Sequence, residues 1–225
     1  MATTVALSVL RTRARQRADQ ENSGFITDTE LNYYLNGSLA ELYDLLVSVY
    51  DDEYFATSYS FNTIAQTETY ALPAAHYKTL GLDLVLSSTQ VIPLKKFVFG
   101  DRNKYKTALF NLQGSELCRY RLNGSNILLS PIPNSVHSLK LWYIPSFTPL
   151  SADGDTFDGI NGWEEYAIVD AAIKMKIKED SGIQELSYQK ASLLERILKM
   201  RQNRDAGEPG KIANVRRYGR YLGGA

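Results

Sequence analysis

The sequence predicts an α+β fold: an antiparallel bundle of about four helices, an inserted small antiparallel β-domain and an extended C-terminal tail. Three observations carry this expectation. Apolar residues recur at helical spacing towards both ends, the middle breaks into short β-prone runs bounded by turns, and periodicity vanishes after Asp205. The expected boundaries are residues 1-53 and 146-207 for the bundle, 54-145 for the insert and 208-225 for the tail.

In chain order, Leu7, Leu10, Ala14 and Ala18 predict a helix from about Thr4 to Ala18, with Thr3 or Thr4 as its cap and Asn22-Ser23-Gly24 as its stop. Thr27-Asp28-Thr29-Glu30 is a capping-box pattern, in which Thr27 and Glu30 satisfy each other's free backbone N–H groups. It opens the clearest helix. Leu31, Tyr34, Leu35, Ser38, Leu39, Leu42, Leu45, Leu46 and Val49 form one face over about six turns. Carboxylates are unfavourable at a helix C-terminus, so this helix stops before Asp51-Asp52-Glu53.

The period then changes. Tyr54 to Phe61, Thr67 to Leu72, Leu82 to Leu86, Val91 to Phe99, Leu117 to Leu122, Ile127 to Leu129 and Leu139 to Ile144 all read as strands. Asn123-Gly124 is the preferred type I′ hairpin pair, and Asp101 to Phe110 has room for one short helix. Six of the seven prolines lie between Pro73 and Pro149, at strand ends and connections. A turn-rich loop, Pro149 to Gly162, leads back to helices. The first, Trp163 to Glu179, carries Trp163, Tyr166, Val169, Ala172, Ile173 and Ile177 on one stripe. The second, Ile183 to about Asn203, carries Leu186, Lys190, Leu193, Leu194, Ile197 and Leu198, with Ser181-Gly182 between the two.

Composition narrows the function. Lys+Arg and Asp+Glu both number 25, so the net charge is zero, whereas a protein binding nucleic acid over its whole surface carries a basic excess. Zero net charge gives little colloidal repulsion and suits association. The single cysteine, Cys118, falls in a strand-like run and is expected to be a small buried side chain. The opening Met1-Ala2-Thr3-Thr4 has no signal-peptide pattern, and no apolar run nears the ~20 residues that span a bilayer. Synthesis in a cytoplasm and no membrane partner are expected.

Catalytic, cofactor and metal sites are not expected. His76 and His137 have no ligands at metal spacing, and no nucleophile elbow, P-loop or dinucleotide fingerprint occurs. Asp153-Gly154-Asp155-Thr156-Phe157-Asp158-Gly159, with Glu164 beyond, approaches a calcium loop. Phe157 takes a ligand position and Asp158 the glycine position, so Asx turns feeding a helix N-terminus fit better. Arg11, Arg13, Arg15 and Arg17, at two-residue steps, fan around their helix and predict a solvated or subunit-facing surface, with non-specific phosphate contact as the other use. From Glu208 to Ala225 the tail holds four basic residues and one acid, with Tyr218 and Tyr221 among the arginines. Two readings are open: a solubilising disordered end, or a segment that orders on a partner through Arg and Tyr anchors.

Leu141-Trp142-Tyr143-Ile144-Pro145, Leu150-Ser151-Ala152-Asp153 through Gly159, and Gly162-Trp163-Glu164-Glu165-Tyr166 through Ala172 resemble the head-to-tail adaptor (connector) proteins of tailed bacteriophages. Tyr70-Ala71-Leu72-Pro73, Tyr77-Lys78 and Asn203 to Pro209 add to the likeness, and the helix–insert–helix order extends it over nearly the whole chain. The resemblance implies a structural subunit of a homo-oligomeric ring, typically of twelve copies, docked beneath the portal protein. The β-domain faces a downstream tail or nozzle protein, and DNA passes transiently and non-specifically through the lumen. Carried onto this sequence, the portal-binding residues are Lys211, Arg216, Arg217, Tyr218, Arg220 and Tyr221. Asp51-Asp52-Glu53 lines the lumen or meets a neighbouring subunit. The alternative is a DNA-binding or packaging accessory protein using Arg11 to Arg17 and the tail; an enzyme comes third.

Overall fold

The computed structural model describes residues 4–22, 24–50, 54–105, 118–160 and 162–204. The first segment divides in two. Strand β1 (Thr4–Ala6) precedes helix α1 (Leu7–Ala18), so the helix starts three residues later than its periodicity predicts. The reason lies in the partner of β1. It pairs antiparallel with Thr156–Asp158, Val5 opposite Phe157, inside the loop that was expected to hold only turns. The same loop caps α1, because the amides of Leu7 and Ser8 donate to the carbonyls of Asp155 (2.9 Å) and Asp153 (3.3 Å). The predicted threonine cap is not used, since Ala6 occupies the cap position. At the other end Asp19 turns left-handed, with φ 57°, and stops the helix ahead of Asn22.

Helix α2 (Asp28–Val49) begins as expected at Thr27, whose side chain accepts from the Glu30 amide at 3.2 Å. Only half of the capping box forms. The Glu30 carboxylate instead accepts from Lys178 Nζ (2.6 Å) and the Tyr34 hydroxyl (2.6 Å), because a full cation is a stronger donor than a backbone amide. Tyr50 closes the helix; Asp51, Asp52 and Glu53 lie outside the described residues.

Helices α3 (Glu164–Lys178) and α4 (Gln184–Arg204) complete the helical part. The single stripe predicted for α3 underestimates its burial. Tyr166, Ala167, Ile168, Val169, Ala171, Ala172 and Met175 are buried around most of its circumference, and only Ile177, predicted inside, is exposed. Such a helix is central: α3 packs against α1, α2 and α4, and its alanines let the neighbours approach closely. Leu7, Leu10, Leu31, Leu35, Leu39, Leu42 and Leu46 fill the same core. Each contributes roughly 1.5–3 kcal/mol of transfer free energy. Helix α4 is the loosest member: Ile197 is fully buried, whereas Leu198 and Tyr188 are exposed.

The middle holds β2 (Thr57–Asn62), β3 (Thr69–Ala71), β4 (His76–Val85), β5 (Val91–Pro93), β6 (Lys95–Lys96), β7 (Arg119–Asn123), β8 (Asn126–Ser130) and β9 (Ser138–Pro145). Strand β10 is the Thr156–Asp158 segment already met. Two four-stranded sheets form, ordered β2-β9-β4-β5 and β3-β8-β7-β6. Alternation places Leu82, Leu84, Leu139 and Leu141 of the first against Tyr70, Tyr120, Ile127 and Leu129 of the second, with Cys118 buried among them as expected. This second core is separate from the helical one.

Two details depart from a simple antiparallel reading. Strand β6 runs parallel to β7, Lys95 opposite Arg119, because β5 and β6 are one extended run divided between the two sheets. The β7–β8 hairpin pairs Asn123 with Asn126, so its turn residues are Gly124 and Ser125, and Gly124 alone takes positive φ (57°). Glycine at the first turn position fits a type II′ turn in place of the predicted I′. Of the short helix expected over 101–110, the described part shows a 3-10 turn at Phe99–Asp101 and turns as far as Tyr105.

Candidate docking surfaces and the ionic clamp

The row of arginines on α1 does not face solvent as a free set. Arg11 pairs with Asp28 (3.3 Å) and Asp153, Arg13 with Glu164 (3.6 Å), Arg15 with Asp28 (2.8 Å) and Arg17 with Glu165. Arg15 also donates to the Ile26 carbonyl at 2.8 Å. Each carboxylate stands in the first turn of α2 or α3 or in the loop before α3. Acids there favour the positive helix end and bring their charge to α1. The hydrogen bond from Arg15, helped by the Arg11 and Arg15 charges, holds the Asp28 carboxyl below its usual range against desolvation. The expected solvated surface holds for Arg13 and Arg17, whose side chains are about half exposed, and is corrected for Arg11 and Arg15, which are largely covered; together the four staple α1 to three other segments.

A second ionic group lies inside the bundle. Asp170 on α3 is 5% exposed and accepts from Ser38 Oγ (2.6 Å), Lys174 Nζ (2.7 Å) and Lys190 Nζ (2.8 Å). Lys174 also donates to Ser38, while Lys190 reaches Glu41 (3.3 Å) and lies 5.1 Å from the centre of the Tyr166 ring. The Tyr166 hydroxyl donates to Glu41 at 2.7 Å. Desolvation alone would raise the Asp170 pKa, but the hydrogen bonds from Lys174, Lys190 and Ser38 outweigh it and hold the carboxyl below its ordinary value. Burial and the Glu41 bond push the Tyr166 phenol up to about 12. On Lys190 desolvation acts downwards and is overcome by Asp170, so its pKa is raised. The group joins α2, α3 and α4. Lys190, a cation on the otherwise apolar stripe of α4, was the sequence signal for it.

The acidic loop before α3 shows the expected Asx-turn chemistry. Asp155 Oδ2 accepts from the amides of Ser151 (2.7 Å) and Ala152 (2.8 Å), and Asp158 Oδ1 accepts from the Ile160 amide (3.0 Å). Backbone bonds from Ser151 and Ala152 keep the Asp155 carboxyl below its usual range. No group of three or more His, Cys, Asp or Glu side chains suited to a metal occurs among the described residues. His76 bonds Thr79 Oγ1 (2.7 Å) and stacks on Tyr143, while His137 bonds Ser135 Oγ (2.9 Å); burial lowers both pKa values. An open groove of about 440 Å³ runs beside Trp163, Leu193, Arg196 and Met200, with no nucleophile–base pair in it.

A further surface escaped sequence reasoning. On the outer side of the β3-β8-β7-β6 sheet, the Arg102 and Arg121 guanidinium groups lie 4.3 and 4.5 Å from the centre of the Phe99 ring, and Arg119 lies 4.7 Å from that of Tyr105. Lys95, opposite Arg119, and Lys104 adjoin them, whereas Lys96 is opposite Tyr120 and lies on the side of that ring. The five cations are scattered between positions 95 and 121, and the parallel β6–β7 pairing gathers them. Lys211, Arg216, Arg217, Tyr218, Arg220 and Tyr221 lie outside the described residues.

Paired ions within the bundle and side chains offered outward are the features the described residues present. The family model for the SU10 adaptor protein matches residues 5–216, and the chain belongs to that family. The curated proteins give no match. A phage adaptor with a structural role is thus shown, in agreement with the resemblance read from Trp142 to Ala172.

Proposed function

We propose that this chain is the head-to-tail adaptor of a tailed phage, forming a ring that joins the portal to the tail and lets DNA pass. The observation that carries the reading is the family match over 5–216, which takes in both hydrophobic cores. The helical segments 1-53 and 146-207 form the ring wall through repeated lateral contacts, and a dodecamer is the ring the family resemblance implies. Insert 54-145 meets the downstream tail or nozzle protein, DNA touches the lumen transiently, and the protein resides at the virion neck after synthesis in the host cytoplasm. No helix among the described residues is long and apolar enough to cross a membrane.

The extension 208-225 contacts the portal through Lys211, Arg216, Arg217, Tyr218, Arg220 and Tyr221. Arginine and tyrosine each join contact area to hydrogen bonding, which supports this choice. Deleting 211–225 should leave helical circular dichroism intact and abolish capture by the portal in a pull-down; full capture by the truncated chain refutes portal docking. The DNA-binding alternative relied on Arg11 to Arg17, and the ion pairs of these four arginines remove most of its support.

A further inference from the structure

The zero net charge conceals a separation. Residues 54–145 contain nine basic and four acidic residues, net +5, and residues 208–225 carry +3, so the helical segments carry −8. The positive charge of the insert converges on the outer side of the β3-β8-β7-β6 sheet. Lys95 and Lys96 on edge strand β6 are accounted for as protection against edge-to-edge pairing. Arg119 and Arg121 are not, since β7 is an inner strand. Unlike the α1 arginines, Arg102, Arg119 and Arg121 make no ion pair among the described residues. Stacking on Phe99 and Tyr105 holds the guanidinium planes in place, with Arg102 also donating to the Phe99 carbonyl at 3.2 Å, and a planar anion matches the in-plane donors that remain.

The centre of the patch identifies the kind of partner. Val98 is 69% and Phe99 58% exposed, an apolar centre bordered by cations. Protein interfaces have this anatomy, with aromatic and arginine residues at the middle. A phosphate-tracking face uses its exposed rings to stack bases, and the Phe99 ring is already occupied by two guanidinium groups. The matching negative charge is on this same chain. Glu179, Asp180 and Glu185, around the α3–α4 turn, make no ion pair among the described residues.

We propose that the Phe99–Arg102–Arg121 face of one copy docks on the acidic helical segment of a second copy, around the α3–α4 turn. The contact is heterologous: each copy offers a basic face forwards and an acidic face backwards, the arrangement that closes into a ring. Ring closure rests on the adaptor reading; the pairing of the two faces does not.

The test is sedimentation of the full chain as wild type, as Arg102→Glu/Arg121→Glu and as Asp180→Lys/Glu185→Lys. Wild type should self-associate, with a Kd rising about tenfold or more between about 0.05 and 0.5 M NaCl. Each double variant should associate about 100-fold more weakly, and an equimolar mixture should regain association, because one intact face meets another or two reversed faces pair. Equal unfolding midpoints exclude misfolding, and recovery on mixing reports the interface even if one variant is less stable. A wild type that stays monomeric, or an Arg102→Glu/Arg121→Glu chain that associates normally, overturns the proposal. Loss of duplex-DNA binding with unchanged self-association assigns the face to nucleic acid and also overturns it. Incorporation of wild-type protein at the virion neck separates the cases: presence there with normal assembly of the variants sinks only this interface, whereas absence sinks the adaptor reading.

Discussion

Replacing Asp170 by alanine should destabilise the bundle strongly. The substitution removes the acceptor of three hydrogen bonds, from Ser38 (2.6 Å), Lys174 (2.7 Å) and Lys190 (2.8 Å). Breaking a buried charge pair from one side costs roughly 3–5 kcal/mol, because the partner charge is left without compensation. Here the lysine side chains are 35% and 26% exposed and can partly rehydrate, so about 2–4 kcal/mol is expected after allowing for solvent screening. Lys190→Met should lose less, about 1–2 kcal/mol, since Lys174 and Ser38 still satisfy the carboxylate. The assay is urea unfolding followed by Trp163, which is buried in the bundle and bonded to the Tyr50 hydroxyl, in a Trp142→Phe background. A double-mutant cycle of Asp170→Asn with Lys190→Met should show coupling of about 1–2 kcal/mol. Loss of under about 0.5 kcal/mol for Asp170→Ala would place it among ordinary surface substitutions and refute the reasoning.

The pH dependence of the same group has a definite sign. The folded Asp170 pKa lies below its ordinary value of 3.8, so its contribution is complete above that value and is lost as pH falls through the folded pKa. Lys190 is raised above 10.5, so its contribution holds below 10.5 and is lost as pH rises through the folded value. Unfolding midpoints of wild type and Asp170→Asn should therefore converge in strong acid and narrow in strong base; convergence near neutral pH would contradict the ion pairing. Gly159→Ala should destabilise by about 1–3 kcal/mol, since the new Cβ would stand 2.7 Å from the Glu164 amide and against its carboxylate. An unchanged midpoint would show that the start of α3 can shift freely.

Local chemistry was readable where local contacts decide the outcome. Thr27 caps α2 because its partner amide is three residues away, and the alternation of Leu139 with Leu141 needs only the strand period. Misreadings arise where a distant group competes. Glu30 turns to Lys178, far along the chain, and thereby leaves its capping box. The ion pairs of Arg11 to Arg17 were not legible because their acids stand 13 to more than 140 residues away. The turn residues moved from Asn123-Gly124 to Gly124-Ser125 because pairing register across β7 and β8 is set by which faces bury Tyr120 and Ile127. The basic face depended on two strands from opposite sides of residues 106–117 meeting in parallel.

The pairing of β1 with β10 has a consequence for how the chain is made. Leu7 and Leu10 pack with a helix that begins at Glu164, so these residues must wait for a partner made more than 150 positions later. The sandwich, whose strands end at Pro145, can gather first. Nascent chains arrested before residue 150 should then protect Tyr120 but leave Leu10 open to proteolysis nearby; early protection of both would reverse the order. Helix α1 is thus among the last elements to settle, and any assembly that uses the finished helical wall begins only after translation has passed α3.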